Sequence, residues 1–175
     1  NIKNNLIRIS TPYTSGNGVV IPDWNLIITH EHIVRDCKHV LVEGINIKRQ
    51  NCEVIFLDEK TDIAFISFSF ESSSPLTINK DESVEDIVAA GLSVSSELLI
   101  RNGIKLPMSN SDVFIKHNAI FKPENNGSPI FNTKGELLGI SIFSKENEIM
   151  LGFYLPMKIV ESSYEKYRII FPIKA

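Results

Sequence analysis

The sequence is dominated by short apolar segments separated by turn residues, and this pattern constrains the fold more than any other feature. The segments are rich in Val, Ile and Phe and are bounded by Gly, Asn, Asp, Ser and Pro, which is typical of β-strands. Strands spaced this closely predict an all-β sandwich or barrel. The predicted strands are residues 6–10, 18–22, 25–29, 39–44, 52–58, 62–69, 86–92, 111–121, 128–132, 136–144 and 149–156.

Helical pattern is scarce. The segment THEHIVRD, residues 29–36, predicts a single helical turn. The segment at 156–170 places apolar residues at near-helical spacing after Pro156, which predicts a C-terminal helix. The polar stretch at 69–86 predicts a connection between two halves of the chain.

Composition excludes several classes of protein. The chain has 175 residues, 43% of them hydrophobic, and a net charge of -3, so nothing in its charge favours nucleic acid as a partner. No apolar run is long enough to span a bilayer, and the N-terminus lacks the pattern of a signal peptide. Cys37 and Cys52 fit no zinc pattern, so we expect neither a metal nor a cofactor. A disulfide across a hairpin that turns near residues 44–46 is one interpretation of the two cysteines, and two free thiols are the other.

Three separated segments carry residues with catalytic chemistry. His32 follows a predicted strand, Asp62 lies at the start of another, and the turn ENNGSP, residues 124–129, comes far downstream. The order His, Asp, then a Gly-Ser-Pro turn is the order of the chymotrypsin-type triad. It differs from the orders found in subtilisin and in the α/β-hydrolases.

On these residues the sequence resembles the trypsin-like serine proteases, most closely the bacterial HtrA/Deg branch. The segments that carry the resemblance are GNGVV with IITHEHIV, DEKTDIAFI, IVAAG (87–91), ENNGSPI (124–130) and GFYLP (152–156). They run in the family's order from about residue 6 to about residue 160.

The resemblance implies a chymotrypsin-like double β-barrel with a short C-terminal helix. We expect the N-terminal barrel at about residues 1–73, the C-terminal barrel at about 84–157 and the helix at about 158–170. No PDZ domain is expected after the helix.

The resemblance also implies the site residues. His32 and Asp62 correspond to the triad histidine and aspartate, and Asn126 occupies the position of the serine nucleophile. Asn126 and Glu124 occupy the two positions whose backbone N–H groups form the oxyanion hole, and Glu124 replaces the family's glycine. The strand that contains Gly139, Ile140 and Ser141 is expected to form a wall of the substrate-binding pocket and to favour an apolar side chain.

The substitution at residue 126 sets the functional hypotheses. A carboxamide cannot be activated by loss of a proton at ordinary pH, so His32 and Asp62 would have nothing useful to deprotonate. Loss of one triad member leaves roughly 10³- to 10⁴-fold catalysis over water. Ser128, two residues further on, is expected to point towards the core, which disfavours it as a substitute nucleophile.

Three hypotheses follow. The first is a proteolytically inactive pseudoprotease that acts in peptide or protein binding or in regulation. The second is an active serine endopeptidase seen here as a Ser-to-Asn mutant, because asparagine at residue 126 could be natural or engineered. The third is an adaptor or sensor module that acts through its surface. The expected partner is a peptide or protein. Family analogy points to a bacterial envelope or secreted location, while a cytoplasmic location and the oligomeric state stay open.

Overall fold

A computed structural model describes residues 2–71, 74–108 and 112–172, which form two six-stranded β-units and a C-terminal helix. The predicted all-β fold with a short C-terminal helix is therefore confirmed. The predicted end of the first barrel at residue 73 and the start of the predicted strand at residue 111 lie outside the described residues.

The first unit is a closed antiparallel barrel with the strand order β1-β2-β3-β6-β5-β4. Its strands are β1 (Leu6–Ser10), β2 (Ser15–Ile21), β3 (Leu26–Thr29), β4 (His39–Gly44), β5 (Ile47–Asp58) and β6 (Ile63–Ile66). One helical turn, α1 (Glu31–Val34), follows β3. Alternate apolar side chains point inward, so Ile7, Ile9 and Val20 are fully buried in the barrel core.

The second unit is a six-stranded sheet with the order β8-β7-β10-β11-β12-β9. Its strands are β7 (Asp86–Leu92), β8 (Leu98–Ile104), β9 (Ile115–His117), β10 (Pro129–Phe131), β11 (Leu137–Glu146) and β12 (Ile149–Pro156). The two ends of the sheet meet where the Leu106 N–H donates to the Lys116 carbonyl at 2.8 Å. The Asn118 N–H likewise donates to the Ile104 carbonyl at 3.2 Å, so the sheet curls towards a barrel.

The C-terminal helix α2 (Met157–Ile170) packs against the first barrel. The Ser163 hydroxyl and the Lys166 ammonium donate to one Asp58 carboxylate oxygen, at 2.8 and 3.0 Å. Burial raises the pKa of Asp58, but these donors outweigh burial and hold the pKa below its ordinary value. Trp24 stacks on Tyr164 with ring centroids 4.1 Å apart, which fixes the helix from its apolar side. Within the described residues, no helix combines the length and apolar character that a bilayer crossing needs.

Some local predictions hold and others need correction. The hairpin near residue 44 is present, with Gly44 opposite Ile47. Cys52 lies opposite Val40 rather than Cys37, and both thiols are free. The strand predicted at 111–121 is described only over Ile115–His117, and β8 was not predicted at all.

His117, at the end of β9, is buried. It is 1% exposed, its ring lies beside Phe143 and Tyr154, and its Nδ1 accepts the Ala119 N–H at 3.1 Å. Burial lowers the pKa of His117 to about 4, because the charged imidazolium would lose its hydration. The folded protein therefore holds His117 neutral at every pH above that value.

This pKa predicts a loss of stability in mild acid. The unfolded histidine titrates near pH 6.5 and the folded one near 4, so the unfolded chain binds the extra proton between these values. The free energy of unfolding, measured with urea, should fall by up to about 3 kcal/mol from pH 7 to pH 4 through this group alone. The variant His117→Gln should show a correspondingly weaker pH dependence. The same substitution at exposed His39 should leave the dependence intact, and an unchanged slope in His117→Gln would contradict the assignment.

Candidate active site

His32 and Asp62 form a directly hydrogen-bonded pair supplied entirely by the first barrel. His32 lies in α1, and Asp62 lies in the turn before β6 with a φ of 60°. The His32 Nδ1 is 2.7 Å from Asp62 Oδ2, and the His32 backbone N–H donates to Asp62 Oδ1 at 2.9 Å. Because the carboxylate can only accept, Nδ1 carries the proton and the lone pair of Nε2 is left to act as a base.

The environment of Asp62 keeps its carboxylate ionised. Burial raises the pKa of Asp62, but the hydrogen bonds from His32 and the nearby His30 outweigh burial, and the pKa lies below its ordinary value. Asp62 therefore holds the His32 ring in one tautomer and orientation at neutral pH. Two of the three residues of the predicted triad are therefore hydrogen-bonded in the arrangement that a triad requires.

His30 connects this pair to the second barrel. The sequence placed it only beside the candidate histidine, and the structure shows it fully buried between the two barrels. Its Nδ1 is 2.9 Å from the Asp62 carbonyl and its Nε2 is 3.0 Å from the Ser141 carbonyl. Burial lowers the pKa of His30, with the Asp62 charge acting in the opposite direction. A neutral ring has one N–H, so it donates to one of these two carbonyls at a time.

The nucleophile loop, residues 122–128, is closed by its own hydrogen bonds. Pro123–Asn125 form a 3₁₀ turn, and the Asn126 N–H donates to the Pro123 carbonyl at 3.0 Å. The Asn126 side-chain oxygen accepts the Phe143 N–H at 2.7 Å, which ties the loop to β11. An oxyanion hole needs free donors directed at the developing charge, and here the N–H at residue 126 is already engaged.

Arg8 holds the same loop from the first barrel. It lies in β1 and is only 3% exposed, yet no carboxylate binds it directly within the described residues. Its guanidinium donates to the Glu124 carbonyl at 2.8 Å and to the Ser15 hydroxyl at 2.5 Å. Burial lowers the pKa of Arg8, and the charges of Glu124 and Glu43 oppose that shift. The single sequence signal for Arg8 was a cation inside the apolar strand LIRIS.

Gly127 allows the loop to pass against the first barrel. Its φ is +92°, and a Cβ atom there would lie 2.0 Å from the Asn17 carbonyl oxygen. The Asn17 N–H donates to the Asn126 carbonyl at 2.8 Å. The Asn17 side chain exchanges two hydrogen bonds with the Leu92 backbone, at 3.1 and 3.0 Å. Asn17 therefore fixes the loop and β7 together.

One cavity of about 320 Å³ brings His32, Asn126 and Glu124 together, with Ser15, Ile33 and Pro123 among its other lining residues. Within the described residues, the His32 Nε2 has no hydrogen-bond partner in this cavity. Both polar and apolar side chains line this cavity, and Ile33 and Pro123 supply part of its apolar surface.

The residues expected to line a substrate pocket lie elsewhere. Gly139, Ile140 and Ser141 are buried within β11, and none of them lines the cavity beside His32. The Ser141 carbonyl is occupied by the Gly127 N–H at 2.8 Å as well as by His30. Ser128 is fully buried, so its hydroxyl does not face the cleft.

The chain is similar in sequence to known proteins. The sequence-family model of the trypsin-like peptidase domain matches residues 16–140 of this chain. The chain is 31% identical to the serine protease HTRA1 of Xenopus tropicalis in an alignment of 144 residues, and the coverage is 74% of this chain and 31% of that protein. It is 26% identical to a probable periplasmic serine endoprotease, DegP-like, of Ectopseudomonas mendocina over 82% of this chain and 33% of that protein. The chain thus spans about a third of the length of these curated relatives.

Solved structures show the same fold. The serine endoprotease from Yersinia pestis superposes with a TM-score of 0.81 and 23% identity, covering 94% of this chain and 63% of that one. The protease domain of MamO from Magnetospirillum magneticum gives a TM-score of 0.78 at 18% identity, covering 92% and 96%. At these identities the likeness concerns the fold.

The close approach at Gly127 predicts an asymmetry between two glycines. Gly135 also has a positive φ, +82°, but a Cβ atom there would meet only Ile2, at 3.7 Å. Gly135→Ala should therefore cost only the backbone strain, about 1–2 kcal/mol. Gly127→Ala adds a steric clash with the Asn17 carbonyl and should cost roughly 4 kcal/mol or more.

Urea unfolding of the two variants at pH 7 measures this difference. Equal losses in Gly127→Ala and Gly135→Ala would show that the loop does not pass against Asn17 as closely as the structure places it.

Proposed function

Because this chain belongs to the trypsin-like peptidase domain family, we propose that it is a protease-fold domain without hydrolytic activity that acts by binding an extended peptide or protein segment. The observation that carries the proposal is the closed nucleophile loop. Asn126 has no hydroxyl or thiol that His32 could deprotonate, its backbone N–H donates to the Pro123 carbonyl, and its side-chain oxygen accepts the Phe143 N–H.

The remaining catalytic parts do not compensate for this loss. The His32–Asp62 pair can accept a proton, but nucleophilic catalysis needs a hydroxyl or thiol within reach of that base. The Asn126 amide nitrogen has a delocalised lone pair and is a poor nucleophile. A missing oxyanion donor alone lowers the rate by about 10²- to 10³-fold.

The names of the relatives indicate which class of partner to expect. The relatives are named as serine proteases and endoproteases, whose substrates are peptides and proteins. A cleft between two barrels can hold an extended peptide without cleaving it, and strand addition is a common way to do so. Several of the relatives are named as periplasmic, which supports an envelope or secreted location for this chain.

One observation favours a second candidate, an endopeptidase captured as a Ser-to-Asn mutant. The His32–Asp62 bond of 2.7 Å retains the geometry that an active triad requires. If asparagine replaced serine recently, restoring the hydroxyl would restore hydrolysis with a His32, Asp62 and serine triad.

The two candidates predict different outcomes for restored serine. We expect the unmodified chain and Asn126→Ser to leave casein and a fluorogenic peptide library uncleaved, because the loop still binds its own N–H group. The double variant Glu124→Gly with Asn126→Ser should gain at most a small activity, since Arg8 still holds the carbonyl of residue 124. Labelling by a fluorophosphonate reports nucleophile activation independently of substrate preference.

The matched control is His32→Ala combined with Asn126→Ser, which removes the base and keeps the hydroxyl. Rapid labelling and casein hydrolysis by Asn126→Ser that disappear in this control would support the endopeptidase captured as a mutant. Hydrolysis of casein by the unmodified chain itself would overturn the proposal that the domain is inactive.

A further inference from the structure

The second barrel is not closed along its whole length. The ends of its sheet meet where residues 104–106 bond to residues 116–118. Below this junction β8 runs on as an edge strand over Leu98–Asn102, and the chain segment 119–122 faces it without pairing. We call the gap between these two segments the seam.

The register of β8 shows which backbone groups face the seam. Lys105 donates its N–H to the Glu85 carbonyl, and Ser93 donates to the Glu97 carbonyl, so the odd-numbered residues of this strand bond to β7. The N–H and C=O groups of Leu98, Ile100 and Asn102 therefore point away from β7. In the described part of the chain these groups have no hydrogen-bond partner.

The opposite side of the seam also has backbone groups without hydrogen-bond partners among the described residues. The backbone groups of Ile120 and Phe121 have no hydrogen-bond partner among the described residues. Both sides therefore present backbone donors and acceptors to the same gap, which is the arrangement that accepts an added strand.

The side chains along the seam indicate what such a strand would carry. Leu98 is 41% exposed and Ile100 is 55% exposed, which is unusual for large apolar side chains on an edge strand. A cavity of about 360 Å³ opens beside them, and its lining includes Leu99, Arg101, Phe121 and Lys122.

The charges beside the cavity indicate which side chains a bound strand would carry. Arg101 and Lys122 are exposed, and neither has an ion-pair partner in the described residues. Among the described residues, Glu124 is the single carboxylate that lines this cavity, and it also lines the cavity beside His32. The two unpaired cations favour a ligand with a carboxylate between apolar side chains.

We propose that the seam binds one extended peptide strand, which carries an acidic side chain flanked by apolar ones, by pairing with the outward edge of β8. Its carboxylate lies at Arg101 and Lys122, and its apolar side chains pack on Leu98 and Ile100. This surface is separate from the His32–Asp62 pair, so it goes beyond the cleft binding of the proposed function.

The probe is the fluorescein-labelled peptide amide Ser-Thr-Val-Glu-Val-Thr-Ser, with fluorescence anisotropy as the readout. Ile100→Pro removes an N–H that faces the seam and none that bonds to β7, and edge strands tolerate proline. It should weaken binding by about tenfold or more, whereas Ile100→Thr, which keeps the N–H, should weaken binding less. A peptide N-methylated on alternate residues should bind as weakly to the natural protein as the unmodified probe binds to Ile100→Pro.

A charge exchange tests the acidic side chain. Arg101→Glu should weaken binding of the glutamate peptide by about tenfold and restore binding of its lysine analogue. Lys145→Glu, the same change on the distant β11–β12 hairpin, should leave both affinities unchanged. Circular dichroism and urea unfolding confirm that each variant is folded.

The possible outcomes separate this surface from the cleft. Binding that survives His32→Ala and Asn126→Ala but not Ile100→Pro supports the seam whether or not the cleft binds peptides. The proposal is overturned by absence of saturable binding, or by binding that Ile100→Pro and N-methylation leave unchanged. It is also overturned if sedimentation shows a dimer that Ile100→Pro dissociates, because a second copy of the chain would then fill the seam.

Discussion

The passage of Gly127 against the Asn17 carbonyl is the constraint on which the site depends. It leaves no room for a side chain, so the nucleophile loop has one position relative to the first barrel. Asn17 then bonds to both the loop and Leu92, and these polar contacts are buried and satisfied. Because buried hydrogen bonds of this kind are expensive to break, the loop conformation is set by the fold rather than by a bound ligand.

The two halves of the candidate site come from different barrels. His32 and Asp62 both come from the first barrel, so their 2.7 Å contact survives whatever occupies residue 126. The nucleophile position belongs to the second barrel, and its closure depends on the 3₁₀ turn at Pro123–Asn125 and on Arg8. This division explains how a hydrogen-bonded His32–Asp62 pair can coexist with a loop that provides neither a nucleophile nor a free N–H at residue 126.

The sequence predicted those features of the fold and of the candidate site that depend on local pattern. Short apolar segments bounded by turn residues located most strands, and the order of His32, Asp62 and the Gly-Ser-Pro turn indicated which residues form the candidate site. It did not predict β8, because Arg101, Asn102 and Gly103 interrupt the apolar pattern of an edge strand that is half exposed.

The contacts between the barrels could not be predicted from local sequence pattern either. Arg8 and Glu124 are separated by more than a hundred residues, and the apolar strand around Arg8 does not indicate which group its buried guanidinium binds. The burial of His117 likewise depends on distant residues, because Phe143 and Tyr154 pack against its ring from other strands. Such contacts follow from the assembled fold and not from sequence spacing.

The most direct test of the closed loop is the hydrogen exchange of two backbone amides, followed by NMR on the unmodified protein. The account predicts slow exchange for the Asn126 N–H, which is bound to Pro123, and for the Phe143 N–H, which is bound to the Asn126 side chain. In Asn126→Ala the Phe143 amide should exchange faster, since its acceptor is gone. Exchange of the Asn126 and Phe143 amides as fast as that of exposed loop amides would show an open loop, and the central claim would fail.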